Sequence, residues 1–550
     1  MDSQAPLAPP NRPAGGGSGP AYAELWCLTS FSFLRGASMP DELMARAKQL
    51  GYSALAITDE CSLSGVVRAH VAAKEVGQPM VVGSQFQVDV DGPAPFTLIV
   101  LACNLNGYGN LSEFITGLRR ASPEKGTYQL TRDGIDPAAL ADCVVLAAPK
   151  RGSSDQQIES VARWMLGAFT GRCWLAVSLM RVLGDEMWLY KLRQVSELTA
   201  IPLVAAGDVH MHVRSRKPLQ DVLTSTKVGR PLTECGMALQ PNAERHLRTR
   251  LRLIQTYPAD LLEETLRVVA RCDFSLDELR YEYPDEVVPT GETPDSYLRR
   301  VTYEGAGRRW PQGLPAKVQH LIEHELELIA ELQFARYFLT VFDLVAFARS
   351  RQILCQGRGS AANSVVCFCL GVTEVDPSRM SMLFERFLSK DRAEPPDIDI
   401  DFEASQREVV LQYLYEKYGR DRAGMTGVFT CYRPKSAIRD VAKSLGFSGE
   451  VIDKLTSGRG WSEGTAIDPE HLAAAGLSQD DLAVQQLLQL TTTLHGFPRQ
   501  LSQHTGGFIL TRGKLSRMVP IENAAMDNRT VIEWDKYDLD AQCSLHTCVE

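Results

Sequence analysis

From residue 22 onward, short apolar runs alternate with amphipathic stretches. Residues 42–51 predict a helix followed by a buried strand over 52–58, and residues 66–76 a helix followed by a strand over 80–86. Further apolar runs at 96–103, 143–148, 173–178 and 202–206 keep the rhythm, each bounded by turn residues. Six or seven such units predict a barrel-like α/β domain. The stretch PDEVVPTGETP, rich in Pro, Glu, Thr and Asp, interrupts the pattern over 284–294 and marks a boundary. Val318, Leu321, Ile322, Leu326 and Ile329 then recur at helical spacing, predicting a long helix over 316–332 that opens a second domain.

Composition changes this picture little. A chain of 550 residues can bury several cores, and 44% hydrophobic with 23% charged residues is ordinary for a globular protein. The formal net charge of −9 means that any nucleic-acid surface must be a local basic patch. The 13 cysteines include no CxxC pair, and Cys367 and Cys369 lie in an apolar stretch that reads as buried thiols, so zinc is not expected. Residues 1–20, rich in Pro, Gly, Ser and Ala, read as a disordered leader. With no apolar run of about 18 residues, no membrane association is expected and a cytoplasmic location follows.

Candidate chemistry concentrates between residues 353 and 445. In PPDIDIDF (395–402), Asp397, Asp399 and Asp401 alternate with Ile398, Ile400 and Phe402. On a strand the apolar set faces inward and the carboxylates project from one face, about 7 Å apart at successive positions. Like charges so placed repel unless a cation lies between them, which makes Asp397 and Asp399 candidate Mg²⁺ ligands. A solvent-facing acidic strand is the plain alternative, but Asp is poorly suited to strands. A calcium loop fails because Phe402 occupies its sixth position, where the sharp turn needs Gly.

Upstream, ILCQGRGSAANS (353–364) reads as a strand, a Gly-rich turn and a helix start, where backbone amides and Arg358 attract phosphate. The same residues fit a dinucleotide fingerprint over Gly357, Gly359 and Ala362 with Asp376 beyond, so an NAD-dependent Rossmann oxidoreductase is a rival reading. Against it, Asp376-Pro377 reads as a turn and not as the end of a second parallel strand. Downstream, Pro434 opens a helix with Lys435, Arg439 and Lys443 on one face and Ile438, Val441 and Leu445 on another. A solvated helix face would explain the basic stripe alone; its place after the DxD strand favours a surface that tracks phosphates.

In this order, GRGSAANS (357–364), LFERFL (383–388), PPDIDIDF, YGRDR (418–422) and YRPKSAIRDVAKSLG (432–446) closely resemble the palm and thumb of C-family DNA polymerases, the bacterial polymerase III alpha type. Residues 22–86 resemble the PHP domain of the same family, a distorted α/β barrel. With 205–223, 502–513 and 520–526 the resemblance runs from about 22 to about 541, and its wording is nearest the error-prone, damage-associated branch. The fold it implies is a PHP barrel followed by a polymerase-beta-like nucleotidyltransferase palm with an inserted helical thumb. The implied divisions are a leader at 1–20, a PHP domain at 21–284, palm at 285–428, thumb at 429–501 and palm again at 502–550.

The resemblance implies template-directed addition of deoxynucleotides to a primer 3′ end, in damage tolerance and translesion synthesis. Gly359 and Ser360 match the Gly-Ser pair that binds the triphosphate, and Arg358 and Arg386 match arginines contacting it. Asp397 and Asp399 match the first two ligands of two Mg²⁺ ions, and Lys435, Arg439 and Lys443 fall on the DNA-binding thumb. Primer-template DNA and deoxynucleoside triphosphates are the implied partners; the family's sliding-clamp and mutasome contacts are expected beyond this chain. In metal-binding PHP domains an HxH pair falls where Trp26 and Leu28 stand here, a further histidine matches Glu60 and a glutamate matches Gln85. Asp59, Asp208 and His210 remain, too few for the usual cluster, so loss of the PHP metals and a structural role for the domain are expected. A PHP-type metallophosphoesterase is the second rival. Cys548 stands about where the third palm aspartate is due, so weak or no turnover is expected of the 550 residues as written.

Overall fold

The computed structural model describes residues 20–285, 288–376, 388, 398–457 and 469–541. The first half is a seven-stranded sheet whose spatial order follows the chain: β1 (Ala23–Glu24), β2 (Ala54–Glu60), β3 (Met80–Val88), β4 (Phe96–Ala102), β5 (Cys143–Pro149), β6 (Cys173–Val177) and β7 (Leu203–Ala205). Leu55 and Ile57 pack with the surrounding helices, whereas Ala54 and Ala56, one residue out of phase, join an alanine-rich cluster on the other face. A strand buried on both faces reads as a continuous apolar run, and in β5 every residue is buried.

The βα rhythm breaks once. β3 pairs antiparallel with β4, and β4 with β5, while the other neighbours are parallel. The connection between β3 and β4 is too short for a crossover helix. It turns at Asp89, whose φ of 51° is left-handed, and at Gly92, whose amide bonds the Asp89 carbonyl at 2.8 Å. Beyond β1 and β7 the sheet closes on itself: Leu28 N donates to Val209 O at 2.8 Å and Val209 N to Trp26 O at 2.9 Å.

The second half opens with helices Pro294–Arg309, Ala316–Glu331 and Ala335–Ser350 around a separate core. Against them lies a two-stranded antiparallel sheet, β8 (Cys355–Arg358) and β9 (Asp399–Phe402). Helix Arg407–Tyr418 then leads into a four-stranded sheet of β10 (Ala423–Cys431), β11 (Pro498–Leu510), β12 (Ile521–Asn523) and β13 (Thr530–Ile532), in the order β11-β10-β13-β12. β10 and β11 are hydrogen-bonded neighbours, yet helices Pro434–Ser444, Gly449–Thr456, Pro469–Ala474 and Leu482–Leu494 intervene in sequence. These helices share a third core with Leu219, Val222 and Leu223 of helix Lys217–Val228, which belongs to the barrel half.

The halves are joined by a buried seam. Ile509, Leu515, Val519, Ile521, Ile532 and Trp534 belong to the barrel's own apolar core, and Trp534 is fully buried. Glu533 accepts from Leu63 N at 2.7 Å and Ser62 Oγ at 3.0 Å, and Arg68 pairs with Asp535 at 2.6 Å and Asp538 at 3.1 Å. Among the described residues no helix is long and apolar enough to cross a membrane.

Candidate active site

β9 alternates as its sequence predicts. Ile398, Ile400 and Phe402 are buried in the second core, and Asp399 and Asp401 are half-buried on the opposite face. In the antiparallel register Arg358 lies opposite Asp399 and Gln356 opposite Asp401. The Arg358 guanidinium reaches diagonally to an ion pair with Asp401. Asp397 and Arg386 lie outside the described residues, as does the side chain of Ser360.

The two glycines flanking Arg358 serve different needs. A Cβ on Gly357 would lie 2.6 Å from the Val372 carbonyl oxygen, whose backbone it hydrogen-bonds. Gly359 has φ of +59°, and a Cβ there would meet nothing within 4 Å, so the turn after β8 faces open space. The chain thus sets a left-handed Gly one residue past the point where β8 meets Asp399.

The helix start at Val365 and Val366 differs from the sequence reading. Its amides do not await phosphate: they donate to the buried carboxylate of Glu325, each at 2.9 Å, and Ser364 Oγ donates to the same group at 2.8 Å. Glu325 sits on helix Ala316–Glu331, far away in sequence, and no local motif announces it. A dinucleotide fold needs a parallel strand feeding a helix whose first amides face the ligand. Here β8 is antiparallel to its partner and those amides are filled by the protein.

Two further parts adjoin this region. Arg407, which opens the helix following β9, donates to Thr505 O at 3.0 Å and so ties that helix to an irregularity in β11. There His504 Nδ1 accepts from Gly506 N at 3.2 Å and Gly507 N at 2.6 Å, which leaves Nε2 as the protonated nitrogen. Helix Pro434–Ser444 buries Ala437, Ile438, Val441 and Ala442 and exposes Lys435, Arg439 and Lys443 along one face. Arg433, at its N-cap, is exposed as well, a cation the periodicity argument did not include.

In the barrel, Trp26, Glu60 and Gln85, three of the positions where the resemblance places metal ligands, hold one another. Trp26 Nε1 donates to Gln85 Oε1, Gln85 Nε2 donates to Glu60 at 2.5 Å, and Arg35 and Tyr128 also bind the Glu60 carboxylate. Burial alone would raise Glu60, but the Arg35 guanidinium and these hydrogen bonds hold its carboxyl below the usual range. Asp59 accepts from Thr29 N, Thr29 Oγ1 and Ser32 Oγ at 2.8, 2.7 and 2.6 Å. Asp208 is bound by Arg245 and by His210 Nε2 at 3.0 Å, while Gln220 Nε2 donates to His210 Nδ1 at 2.8 Å. Burial, then Arg35, depress His210 to about 3, so its imidazole is neutral. With a guanidinium on Asp208, hydroxyls and an amide on Asp59, another guanidinium on Glu60, and an indole and a carboxamide where imidazole and carboxylate are expected, this donor set does not fit a multi-metal cluster. Among the described residues no group of three or more His, Cys, Asp or Glu is arranged to hold a metal ion.

Two family models match the chain: the PHP domain over residues 24–158, and the bacterial DNA polymerase III alpha NTPase domain over residues 296–545. It is 54% identical over 526 residues to the error-prone DNA polymerase of Dechloromonas aromatica, covering 95% of this chain and 50% of that protein. It is 52% identical over 532 residues to the protein of the same name from Bordetella parapertussis, again 95% and 50%. With that of Methylococcus capsulatus it shares 53% over 520 residues, 94% of this chain and 49% of the relative. The chain therefore spans about half the length of the curated relatives it matches.

Proposed function

Because the chain belongs to the bacterial DNA polymerase III alpha family, with a PHP domain ahead of its polymerase domain, we propose that it carries part of the catalytic centre of an error-prone DNA polymerase. The reaction is template-directed addition of deoxynucleotides to a primer 3′ end. The observation that carries this reading is the β8–β9 pair, in which Asp399 stands opposite Arg358 beside a left-handed Gly359 facing open space.

Asp397 and Asp399 would hold the divalent ions, and carboxylate oxygen donors suit Mg²⁺. Bound there, Mg²⁺ would neutralise charge on the attacking and leaving oxygens of phosphoryl transfer. The chain's own groups bind and orient. Gly359 and Ser360 offer backbone close to a triphosphate, and Arg358 and Arg386 supply guanidiniums for its oxygens. Arg358 is held on Asp401, within the same sheet, so an arriving triphosphate competes with that carboxylate for it. Lys435, Arg439 and Lys443 follow the duplex backbone without reading sequence, as template-directed synthesis requires. Interlocked by hydrogen bonds and arginines, the PHP domain acts as a scaffold. Damage tolerance by translesion synthesis, with clamp and mutasome contacts made by the remaining half, completes the proposal; a cytoplasmic location goes with it.

Titration with a deoxynucleoside triphosphate tests this. Saturable binding that needs Mg²⁺ and is lost in Asp399→Asn is the expected result; binding indifferent to Mg²⁺ and to Asp399 would overturn the assignment.

A further inference from the structure

Most of the described cysteines are buried, but Cys103 and Cys272 are half-buried neighbours at the edge of the alanine-rich cluster of the barrel sheet. Cys103 follows β4, and Cys272 stands three residues past helix Ala259–Val269. Asp273 N donates to Cys103 O at 3.0 Å. A bond from the amide after one residue to the carbonyl of another is the one that sets the two side by side in a parallel ladder, about 4.8 Å between chains. That spacing suits the Cα separation of about 4.4–6.8 Å that a disulfide spans. The two thiols share a hydrogen bond, and Arg271, held by Gly171 O at 2.8 Å and by the Trp174 ring at 5.4 Å, fixes a cation beside them. A ring stack joins the segments that follow the two cysteines. Tyr108, on helix Leu105–Ala121 just past Cys103, stacks on Phe274, two residues past Cys272, with centroids 4.6 Å apart and planes at 22°. Tyr108 Oη donates to Met518 O at 2.7 Å, in the second half.

We propose that Cys103 and Cys272 form a dithiol pair that closes to a reversible disulfide by exchange with a low-molecular-weight disulfide, clamping the start of the segment that leads from the barrel to the second half. The hydrogen bond from Cys272, against burial and with the help of Arg271, holds the Cys103 thiol below its ordinary range, whereas the same bond and burial push Cys272 up. Cys103 is therefore the attacking thiolate. Its sulfur attacks one sulfur of the small disulfide, whose S–S bond breaks to release one small thiolate and leave a mixed disulfide on Cys103. Cys272 then gives up its proton, its sulfur bonds to that of Cys103, and the second small thiolate leaves. Two protein thiols are oxidised, and one disulfide is reduced to two thiols. The bridge fixes both segments that bear the Tyr108–Phe274 stack and, through Tyr108, the contact with Met518. Because it needs neither Mg²⁺ nor β9, it stands independently of the polymerase assignment.

The test is incubation of the native chain with oxidised glutathione, alkylation of the remaining thiols with N-ethylmaleimide, trypsin digestion and mass spectrometry. Cutting after Lys74, Arg119, Arg271 and Arg280 leaves Cys103 and Cys272 as the sole cysteines of their peptides, 75–119 and 272–280. A link between these two peptides is expected, absent before oxidation and reopened by dithiothreitol. Cys272→Ser is expected to stall with glutathione on Cys103, and Cys103→Ser to leave Cys272 free for N-ethylmaleimide. Closing so long a loop is expected to raise the melting temperature by at least about 2 °C, a rise that both variants lose. Four results would each overturn the proposal: both cysteines still alkylated after oxidation, Cys103 capped by glutathione without closure in the parent chain, a stalled adduct on Cys272 in Cys103→Ser, or an unchanged melting temperature once the link has formed.

Discussion

Asp399 lies directly across the β8–β9 pair from Arg358, yet the Arg358 guanidinium rests on Asp401, its diagonal neighbour. Two carboxylates on one strand face thereby acquire different surroundings. Asp401 is paired with Arg358, and Asp399 lies opposite Arg358 next to the Gly359 turn. Asp399→Asn is expected to lower Mg²⁺-dependent triphosphate affinity by at least about tenfold, or about 1.4 kcal/mol. Asp401→Asn releases Arg358 and is expected to change it by less. Calorimetric titration of both variants checks the order; an equal loss in both would mean the strand presents the carboxylates interchangeably.

Glu325 satisfies the hydroxyl of Ser364 and the amides of Val365 and Val366 from within the core. Glu325→Ala leaves two buried N–H groups without an acceptor and opens a cavity, which is expected to destabilise the chain by about 2–4 kcal/mol. Denaturant unfolding of the variant measures it directly.

The contribution of Glu533 and Asp538 to stability is expected to fall as pH rises from about 4 to about 7. Burial, despite Arg119 and the Leu63 amide, pushes Glu533 up to about 7; burial together with Asp535 does the same to Asp538. In the unfolded chain both titrate near the ordinary carboxyl value of about 4. Inside that window the folded form keeps protons that the unfolded form has released, so each unit of rising pH favours unfolding, and above about 7 the loss is complete. Glu533→Gln removes part of this dependence. Melting temperatures measured from pH 5 to 8 are expected to shift toward lower values at high pH more in the parent chain than in the variant.

Replacing Lys435, Arg439 or Lys443 with Ala is expected to weaken duplex binding alike on any sequence. Each change is expected to reduce the slope of log affinity against log salt by about one unit. Fluorescence anisotropy on two unrelated duplexes over a range of salt reads both effects. A sequence-dependent loss would argue that this helix reads bases.

Much of this was legible in the residues because the relevant interactions are local. Alternation at Ile398, Ile400 and Phe402 leaves a strand little choice of face, and the spacing of Ala437, Ile438 and Val441 does the same for a helix. The turn at Asp89 and Gly92, which makes β4 run antiparallel, does not stand out from a rhythm of βα units over the whole domain. Glu325 and the seam at Glu533, Trp534 and Asp535 were illegible for a different reason. Their partners lie tens to hundreds of residues away, and a buried carboxylate that caps a distant helix looks in sequence like any surface Glu on an amphipathic helix.

The helical insert leaves and re-enters its sheet at one spot, where Tyr432 N bonds Phe497 O at 2.8 Å and Gly496 N bonds Tyr432 O at 2.9 Å. A module bound along a single edge would swing freely, but it is also packed on Leu219, Val222 and Leu223 of the barrel half. The barrel therefore works as a splint. On the proposed function its rigidity decides where the Lys435, Arg439 and Lys443 face points, so softening a barrel helix is expected to weaken duplex binding without changing any of those three residues.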